Sequence, residues 1–253
     1  MGNYIDGEII MKYCKQTVLM LGMLVLAGCS KRGEECPVIG SAVDGFQKKV
    51  LKNGIESASK SDPAVIQKAV ELSKAMLGPL NKHVLTDEQI VSFRGTAGAI
   101  IIEATKTLEE MSDLASSLGK IGPMASQATK QVDDAKAGLE AACDKKIRHR
   151  RARRKQQREC KQIKDLLTGM ELDVLKVESL STAVDSLQKI SPSNAAVKQA
   201  VGGIVEALVQ AQKIAKMKAD LEKKSSANQK QLDQLRQKSS GLGKKIKAYC
   251  ADV

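Results

Sequence analysis

From about residue 41 onward, apolar residues recur at steps of three and four, the spacing that places them on one face of an α-helix. The longest regular stripe follows Thr86, where Thr-Asp-Glu-Gln fits a capping box with Thr86 as the N-cap and Gln89 three residues later. The apolar members of this stripe are Ile90, Phe93, Ala97, Ile101, Ala104, Leu108, Met111, Ala115 and Leu118. We expect Gly119, Gly122 and Pro123 to end this helix, because glycine and proline are common where helices stop.

Further stripes predict helices before and after this one. An earlier helix begins at Asp62 and Pro63, an N-cap followed by proline at the first helical position. Two stripes follow Pro123, one over residues 124–142 and one over residues 163–187. After the Ser-Pro-Ser turn at 191–193, a last stripe starts at Val197, fades near residue 223 and returns at Leu232.

No residue from 41 onward requires a strand to explain its pattern. We therefore predict an all-α fold for residues 41–253, an elongated antiparallel helical bundle with coiled-coil-like packing. Four glycines, Gly95, Gly98, Gly202 and Gly203, lie within the helical stripes. They mark either close helix crossings or weak points, since glycine permits close approach and lowers helix propensity.

The first thirty residues follow a different pattern. Lys12 and Lys15 precede an uninterrupted apolar run over residues 18–26, and the run ends in Leu26-Ala27-Gly28-Cys29. A basic start, a short apolar core and small residues before a cleavage site are the layout of a secretory signal. The apolar run is too short to span a bilayer, which takes roughly 20 residues.

The Leu-Ala-Gly-Cys ending resembles the lipobox of bacterial lipoproteins. This resemblance implies that residues 1–28 are removed as a signal peptide and that Cys29 is acylated and becomes the new N-terminus. Residues 29–40 are then a lipidated tether that joins the membrane to the bundle. Asp6 and Glu8 are out of place in a basic signal start, so we expect translation to begin at Met11.

Lipidation would attach the protein to a membrane without a spanning helix, because two or more acyl chains give stable anchoring. Ser30, the residue after the cysteine, resembles the class of lipoproteins that are sorted to the outer membrane. We therefore expect a location in the cell envelope, on the outer membrane.

Four cysteines remain once the signal segment and Cys29 are set aside: Cys36, Cys143, Cys160 and Cys250. In an oxidising compartment they would form two disulfides, for which three connectivities exist. A straight helix would separate Cys143 and Cys160 by about 25 Å, whereas a disulfide needs Cα atoms within about 7 Å. We favour a chain reversal between them, with Cys143 bonded to Cys160 and Cys36 to Cys250; the other two connectivities remain open.

The formal net charge of +12 is concentrated in two segments. Residues 144–164 hold eleven lysines and arginines against two acids, and residues 213–247 hold eleven against three. With the favoured disulfide, residues 144–159 form a basic hairpin tip, which is either a solvated loop or an attractor of polyanions. The candidate polyanion contacts are Arg148, Arg150, Arg151, Arg153, Arg154 and Lys155.

The composition argues against several partners. After Cys29 the only aromatic residues are Phe46, Phe93 and Tyr249, which disfavours single-stranded nucleic acid and sugars as ligands. The basic run followed by leucines superficially fits a leucine-zipper DNA-binding protein, but Asp173 interrupts the heptad. Sequence-specific DNA binding is therefore not expected.

We find no catalytic, phosphate-binding or metal-binding motif, and His83 and His149 stand far apart in the sequence. We expect no enzyme activity, no metal and no cofactor. The function that we predict is structural or interactive: a lipid-anchored envelope protein whose basic tip contacts anionic lipid, lipopolysaccharide or cell-wall polymer. The alternative is an accessory subunit of an envelope transport or secretion complex, docked to a protein partner through the long C-terminal helix.

Overall fold

The structure is a computed structural model, and it describes residues 26–52, 56, 62–145, 148–168 and 174–251, with side chains from Arg32 onward. The helices are α1 (Leu26–Phe46), continued by a π-helical segment (Gln47–Lys52), α2 (Pro63–Lys82), α3 (Glu88–Asp144), α4 (Arg150–Thr168), α5 (Val177–Gln188) and α6 (Ala195–Cys250). The described residues contain no strand, so the predicted all-α helical bundle is confirmed.

The chain forms two compact units. Unit 1 comprises the residues up to Ser112 together with those from Asn228 onward, and unit 2 comprises Asp113–Ala227. Helices α1 and α2 belong to unit 1, whereas α4 and α5 belong to unit 2. The long helices α3 and α6 contribute residues to both units.

The core of unit 1 consists mainly of aliphatic side chains, together with Phe46 and Phe93. Its largest fully buried residues are Ile39, Phe46, Leu51, Ile66, Leu80, Ile90, Ile101 and Leu108. Helices α1 and α6 pair in antiparallel register, because Gln47 Nε2 donates to Ser239 Oγ at 3.2 Å and Cys36 is bonded to Cys250. Between α2 and α3, the buried hydroxyls of Ser73 and Thr105 lie 2.5 Å apart, which satisfies both polar groups within the core.

Unit 2 has its own core, built from the later part of α3, from α4 and α5, and from the earlier part of α6. Its fully buried members include Leu139, Ile163, Leu180, Leu187, Ile204 and Leu208. Asn194 caps the start of α6 by accepting hydrogen bonds from Ala196 N at 2.9 Å and Val197 N at 3.3 Å.

The predicted end of the long helix at Gly119–Pro123 is wrong, because α3 continues through Pro123 to Asp144. The buried stripe also continues there, through Ile121, Ala125 and Ala128 at steps of four and three. Pro123 and Gly119 are both exposed. Because proline has no N–H, the carbonyl of Gly119, four residues earlier, lacks its usual helical hydrogen-bond donor. Water can therefore hydrogen-bond this carbonyl, which lowers the cost of a proline inside the helix.

Two other predicted boundaries differ from the structure. Residues 32–40, expected to be part of the tether, lie in α1, where Cys36 and Ile39 are buried. The stripe over residues 163–187 is divided between α4 and α5, since α4 ends at Thr168 and α5 begins at Val177. The predicted helix start at Asp62 and Pro63 is confirmed, and Asp62 Oδ1 accepts from Ala64 N at 3.0 Å.

The four glycines in the predicted stripes do not mark close crossings. A Cβ atom at Gly95, Gly98, Gly202 or Gly203 would meet nothing within 4 Å. The close approaches occur instead at Gly45, where a Cβ would lie 3.1 Å from Met76 Cε, and to a lesser degree at Gly243.

Most of the predicted signal peptide lies outside the described residues. Of residues 1–28, with the expected start at Met11, only residues 26–28 are described, at the beginning of α1. The side chain of Cys29 also lies outside them. None of the helices in the described ranges combines the length and the apolar content that crossing a membrane would take.

Candidate functional site

The basic segment forms part of a helical hairpin in unit 2. Helix α3 ends at Asp144, the chain reverses, and α4 begins at Arg150. Cys143 and Cys160 are bonded, with their Cα atoms 5.9 Å apart. Cys36 and Cys250 form the second disulfide, so the structure has the connectivity that the sequence favours.

One face of α4 packs against α3 and includes a polar residue. Gln156, Cys160 and Ile163 are buried, and Gln156 is only 3% exposed. Gln156 Nε2 donates to the carbonyl oxygen of Ala142 at 2.8 Å. This carbonyl belongs to the last turn of α3, where helical partners are lacking. Gln156 therefore caps the C-terminus of α3 and fixes α4 beside it.

Sequence reasoning missed Gln156 as part of this site. Its position four residues before Cys160 and seven before Ile163 was the signal that could have placed it on the packed face. Glu159 adds another attachment, because its Oε1 accepts from Ser193 N at 3.1 Å and Ser193 Oγ at 2.6 Å. The turn before α6 is thereby tied to α4.

The six predicted polyanion contacts are all exposed: Arg148, Arg150, Arg151, Arg153, Arg154 and Lys155. Within the part of the chain that the structure describes, no carboxylate lies within 4 Å of any of these cations. Arg158, which the prediction did not include, is exposed and unpaired in the same way among the described residues. We refer to these seven cations as the basic surface.

Part of the basic surface forms a regular row. Arg151, Arg154, Lys155 and Arg158 are spaced at i, i+3, i+4 and i+7, so they share one face of α4. Arg154 and Arg158 each lie two positions from Gln156, and residues two apart on a helix point in nearly opposite directions. This row is therefore directed away from the packed face and toward solvent.

The first turn of α4 increases the positive potential. It contains no acidic residue, although the N-terminus of a helix carries a partial positive charge that acidic residues usually offset. Arg150, Arg151 and Arg153 stand there instead, so their charges add to that of the helix end. The arginine charges and the partial charge of the helix end would both attract an anion outside the protein.

Two further observations concern metal ligands and aromatic rings in the described residues. They contain no group of three His, Cys, Asp or Glu residues that could hold a metal ion. Phe46 and Phe93 are buried, and the ring of Tyr249 is covered by the Arg32 guanidinium, 3.7 Å from its centroid. These rings are therefore not available as a stacking platform.

A second polar constellation lies in unit 1, where it joins three segments. We call it the N–C clasp, and its members are Arg32, Glu35, Cys36, Thr86, Asp87, Tyr249 and Cys250. The carboxylate of Glu35 accepts from Thr86 N at 2.8 Å, Thr86 Oγ1 at 2.9 Å and Asp87 N at 3.2 Å. Burial raises the pKa of Glu35, but these hydrogen bonds together outweigh burial and hold the pKa below its usual value.

The predicted role of Thr86 as N-cap of α3 is wrong, because Asp87 has that role. Asp87 Oδ1 accepts from Ile90 N at 3.0 Å, while the hydroxyl of Thr86 is bonded to Glu35. The N-cap is therefore one position later than predicted. The third residue of the helix is Ile90 and not Gln89, the predicted partner in the capping box. Burial raises the pKa of Asp87, but hydrogen bonds from Ile90 and Tyr249 outweigh burial, so the pKa lies below its usual value.

Tyr249 completes the clasp from the last turn of α6. Its hydroxyl donates to Asp87, its ring meets Phe93 edge-on at 5.7 Å between centroids, and Arg32 donates to its carbonyl oxygen. The hydrogen bond to Asp87, together with burial, raises the pKa of Tyr249. The two ends of the described chain are thus joined by a disulfide and by polar contacts.

Comparison with models of known protein families, with curated proteins and with solved structures found no match to this chain.

Proposed function

We propose that this protein is a lipid-anchored component of the cell envelope with a structural or interactive role. In this proposal Cys29 carries the lipid, and the basic surface contacts phosphate-bearing anionic material such as lipopolysaccharide, anionic lipid or cell-wall polymer. The outer membrane is the location that Ser30 favours. The observation that carries the binding proposal is the row of exposed, unpaired cations on α4.

Two features make this row suited to a polyanion. The cations have no carboxylate partner among the described residues, so binding does not first require breaking an internal ion pair. Helix α4 is also fixed by the Cys143–Cys160 disulfide and by Gln156, so little backbone freedom is lost on binding. Binding of this kind depends on screened charge attraction and should weaken steeply as salt is added.

The binding proposal is tested with a variant, called the arginine variant, in which the row Arg151, Arg154, Lys155 and Arg158 and the adjacent Arg150 are replaced by Gln. Its matched control replaces five exposed lysines of α6 by Gln, namely Lys213, Lys216, Lys223, Lys224 and Lys230. Both variants lose five charges. Binding to lipopolysaccharide, to phosphatidylglycerol vesicles and to anionic wall polymer is measured over a range of salt concentrations.

We expect the arginine variant to lose binding to at least one of these ligands and the lysine control to retain most of it. Equal affinities of the two variants would mean that net charge alone is responsible, and retained binding by the arginine variant would exclude the basic surface. The anchor is tested separately by palmitate labelling of the wild-type protein and of the Cys29→Ala variant. A stoichiometric protein partner recovered after crosslinking in cells would instead favour the accessory-subunit function.

A further inference from the structure

The N–C clasp brings three segments of unit 1 to the same end. The disulfide joins the middle of α1 to the last residue of α6, with the Cα atoms of Cys36 and Cys250 5.9 Å apart. Glu35 holds the residues before α3 through Thr86, and Tyr249 holds them through Asp87. The middle of α1, the connection over residues 83–87 and the end of α6 are therefore neighbours, and we call this region the clasp end.

The clasp end carries the most exposed large apolar side chain among the described residues. Val84 is 89% exposed, whereas the other exposed large apolar side chains lie between 36% and 59%. Its backbone is held in place on both sides, since the carbonyl of His83 accepts from Arg94 at 3.0 Å and Thr86 is bonded to Glu35. An apolar side chain is thus presented to the surroundings from a fixed connection.

The charges at the clasp end are sorted by sign. Glu35 and Asp87 are directed inward and accept hydrogen bonds within the clasp. Four lysines are exposed near the clasp in the chain: Lys82 ends α2 beside the connection, and Lys244, Lys245 and Lys247 belong to the last two turns of α6. In the described ranges, no carboxylate lies within 4 Å of any of them. Among the described residues, Glu34 and Glu88 are the exposed acids near the clasp, so the four lysines outnumber the exposed acids described there.

The proposed lipid attachment point precedes the clasp by a short distance. Cys29 and Cys36 are both in α1 and are seven residues apart, which corresponds to about 10 Å along a helix. Acyl chains on Cys29 would therefore keep the clasp end close to the membrane surface. A contact that is weak in solution becomes effective under such tethering, because the local concentration of the surface is high.

We propose that the clasp end is a membrane-docking surface for an anionic lipid bilayer, with Val84 in the headgroup region and the four lysines against the headgroups. This inference rests on the proposed anchor at Cys29. An apolar side chain flanked by lysines is the pattern of interfacial membrane contacts, where apolar burial and attraction to anionic lipid act together.

The chain contains no tryptophan, so a single introduced tryptophan reports its own environment. We would compare three variants of the protein purified from membranes: Val84→Trp at the clasp end, Ile102→Trp on the exposed side of α3, and Ala152→Trp beside the basic surface. Each is reconstituted in vesicles of phosphatidylcholine alone or mixed with phosphatidylglycerol. Tryptophan emission and quenching by aqueous acrylamide are recorded.

In the mixed vesicles, we expect the emission of the Val84→Trp variant to shift to shorter wavelength and its acrylamide quenching to decrease. The Ile102→Trp variant should show neither change. Adding Lys82→Glu and Lys247→Glu to the Val84→Trp variant should reverse the shift, whereas the matched control Lys68→Glu and Lys106→Glu should not. If the indole of the Val84→Trp variant stays accessible to acrylamide in both vesicle types, the inference is overturned.

The same measurements separate this inference from the proposed function. The Ala152→Trp variant reports contact by the basic surface, and palmitate labelling reports the anchor. If the indole of the Val84→Trp variant stays exposed while Cys29 is acylated, the docking surface is excluded and the proposed anchor is not. If Cys29 is not acylated, the anchor fails and the docking surface, which rests on it, fails with it; palmitate labelling shows which of these two results has been obtained.

Discussion

The hydroxyl of Tyr249 donates a hydrogen bond to the carboxylate of Asp87, at 2.8 Å from Oδ2, across 162 positions of the sequence. Asp87 is also the N-cap of α3. One carboxylate therefore satisfies the first turn of α3 and fixes the last turn of α6. Glu35 extends this arrangement to α1, so two buried or half-buried carboxylates connect three helices of unit 1.

Replacing Tyr249 by Phe should lower the free energy of unfolding, because Asp87 loses a hydrogen bond to its charged carboxylate. The ring would still contact Phe93 and Arg32, so the loss of stability reports the contribution of the hydroxyl alone. This loss is measured by urea denaturation monitored by circular dichroism. The Tyr249→Ala variant should lose more, because ring packing is removed as well. A Tyr249→Phe variant as stable as the wild type would show that the ring alone matters.

The clasp should also make the protein sensitive to acid. Glu35 and Asp87 have pKa values below their ordinary 4.5 and 3.8, so their folded forms bind protons less readily than their unfolded forms. Their stabilisation is therefore complete above those ordinary values and is lost as the pH falls through the lowered values in the folded protein.

We expect the free energy of unfolding to fall as the pH is lowered below 4.5, and to fall less steeply in the Glu35→Gln variant. Glutamine keeps the shape of the side chain but has no carboxylate to protonate. Chemical denaturation at a series of pH values gives both slopes. Replacement of an exposed glutamate of α2, Glu71→Gln, serves as the control and should leave the slope unchanged. If the free energy of unfolding depends on pH in the same way in the wild type and in Glu35→Gln, Glu35 is not a source of the acid sensitivity.

The two disulfides should differ in their contributions to stability. The Cys143–Cys160 bond spans 17 positions and the Cys36–Cys250 bond spans 214. In the chain-entropy account, these loops correspond to about 3 and about 5 kcal/mol. Replacing both cysteines of a pair by Ala, one pair at a time, should therefore lower the melting temperature more for the long loop. The reverse order, measured by calorimetry, would contradict this account.

Much of the fold follows from helical periodicity, and the errors have local causes. Proline commonly ends a helix, yet at Pro123 the apolar stripe continues through Ile121 and Ala125, and burial of that stripe outweighs one lost hydrogen bond. The same competition explains the helical residues before 41. Cys36 and Ile39 are buried there despite Pro37, which lies on the exposed side of α1.

The candidate site was predictable in part because cysteine spacing restricts geometry. A straight helix cannot bring Cys143 and Cys160 within bonding distance, so a bond between them requires a hairpin with the arginines at its tip. The N–C clasp was not predictable in the same way. Glu35 acts on Thr86 from another helix, and no local pattern indicates which distant carboxylate accepts from a helix start. Thr86 and Asp87 are both suitable N-caps, and the contact with Glu35 distinguishes them.

Replacing Gly95 or Gly202 by Ala should stabilise the protein. Each lies within a helix, and an added Cβ would meet no atom within 4 Å, so the variant gains the helix propensity of alanine, about 1 kcal/mol. The matched comparison is Gly45→Ala in α1, where the new methyl group would stand 3.1 Å from Met76 Cε. There the gain should be smaller or absent, because Met76 has to move. Urea denaturation of the three variants gives the order of their stabilities. Destabilisation by Gly95→Ala or Gly202→Ala would show that these glycines have a role that helix propensity does not describe.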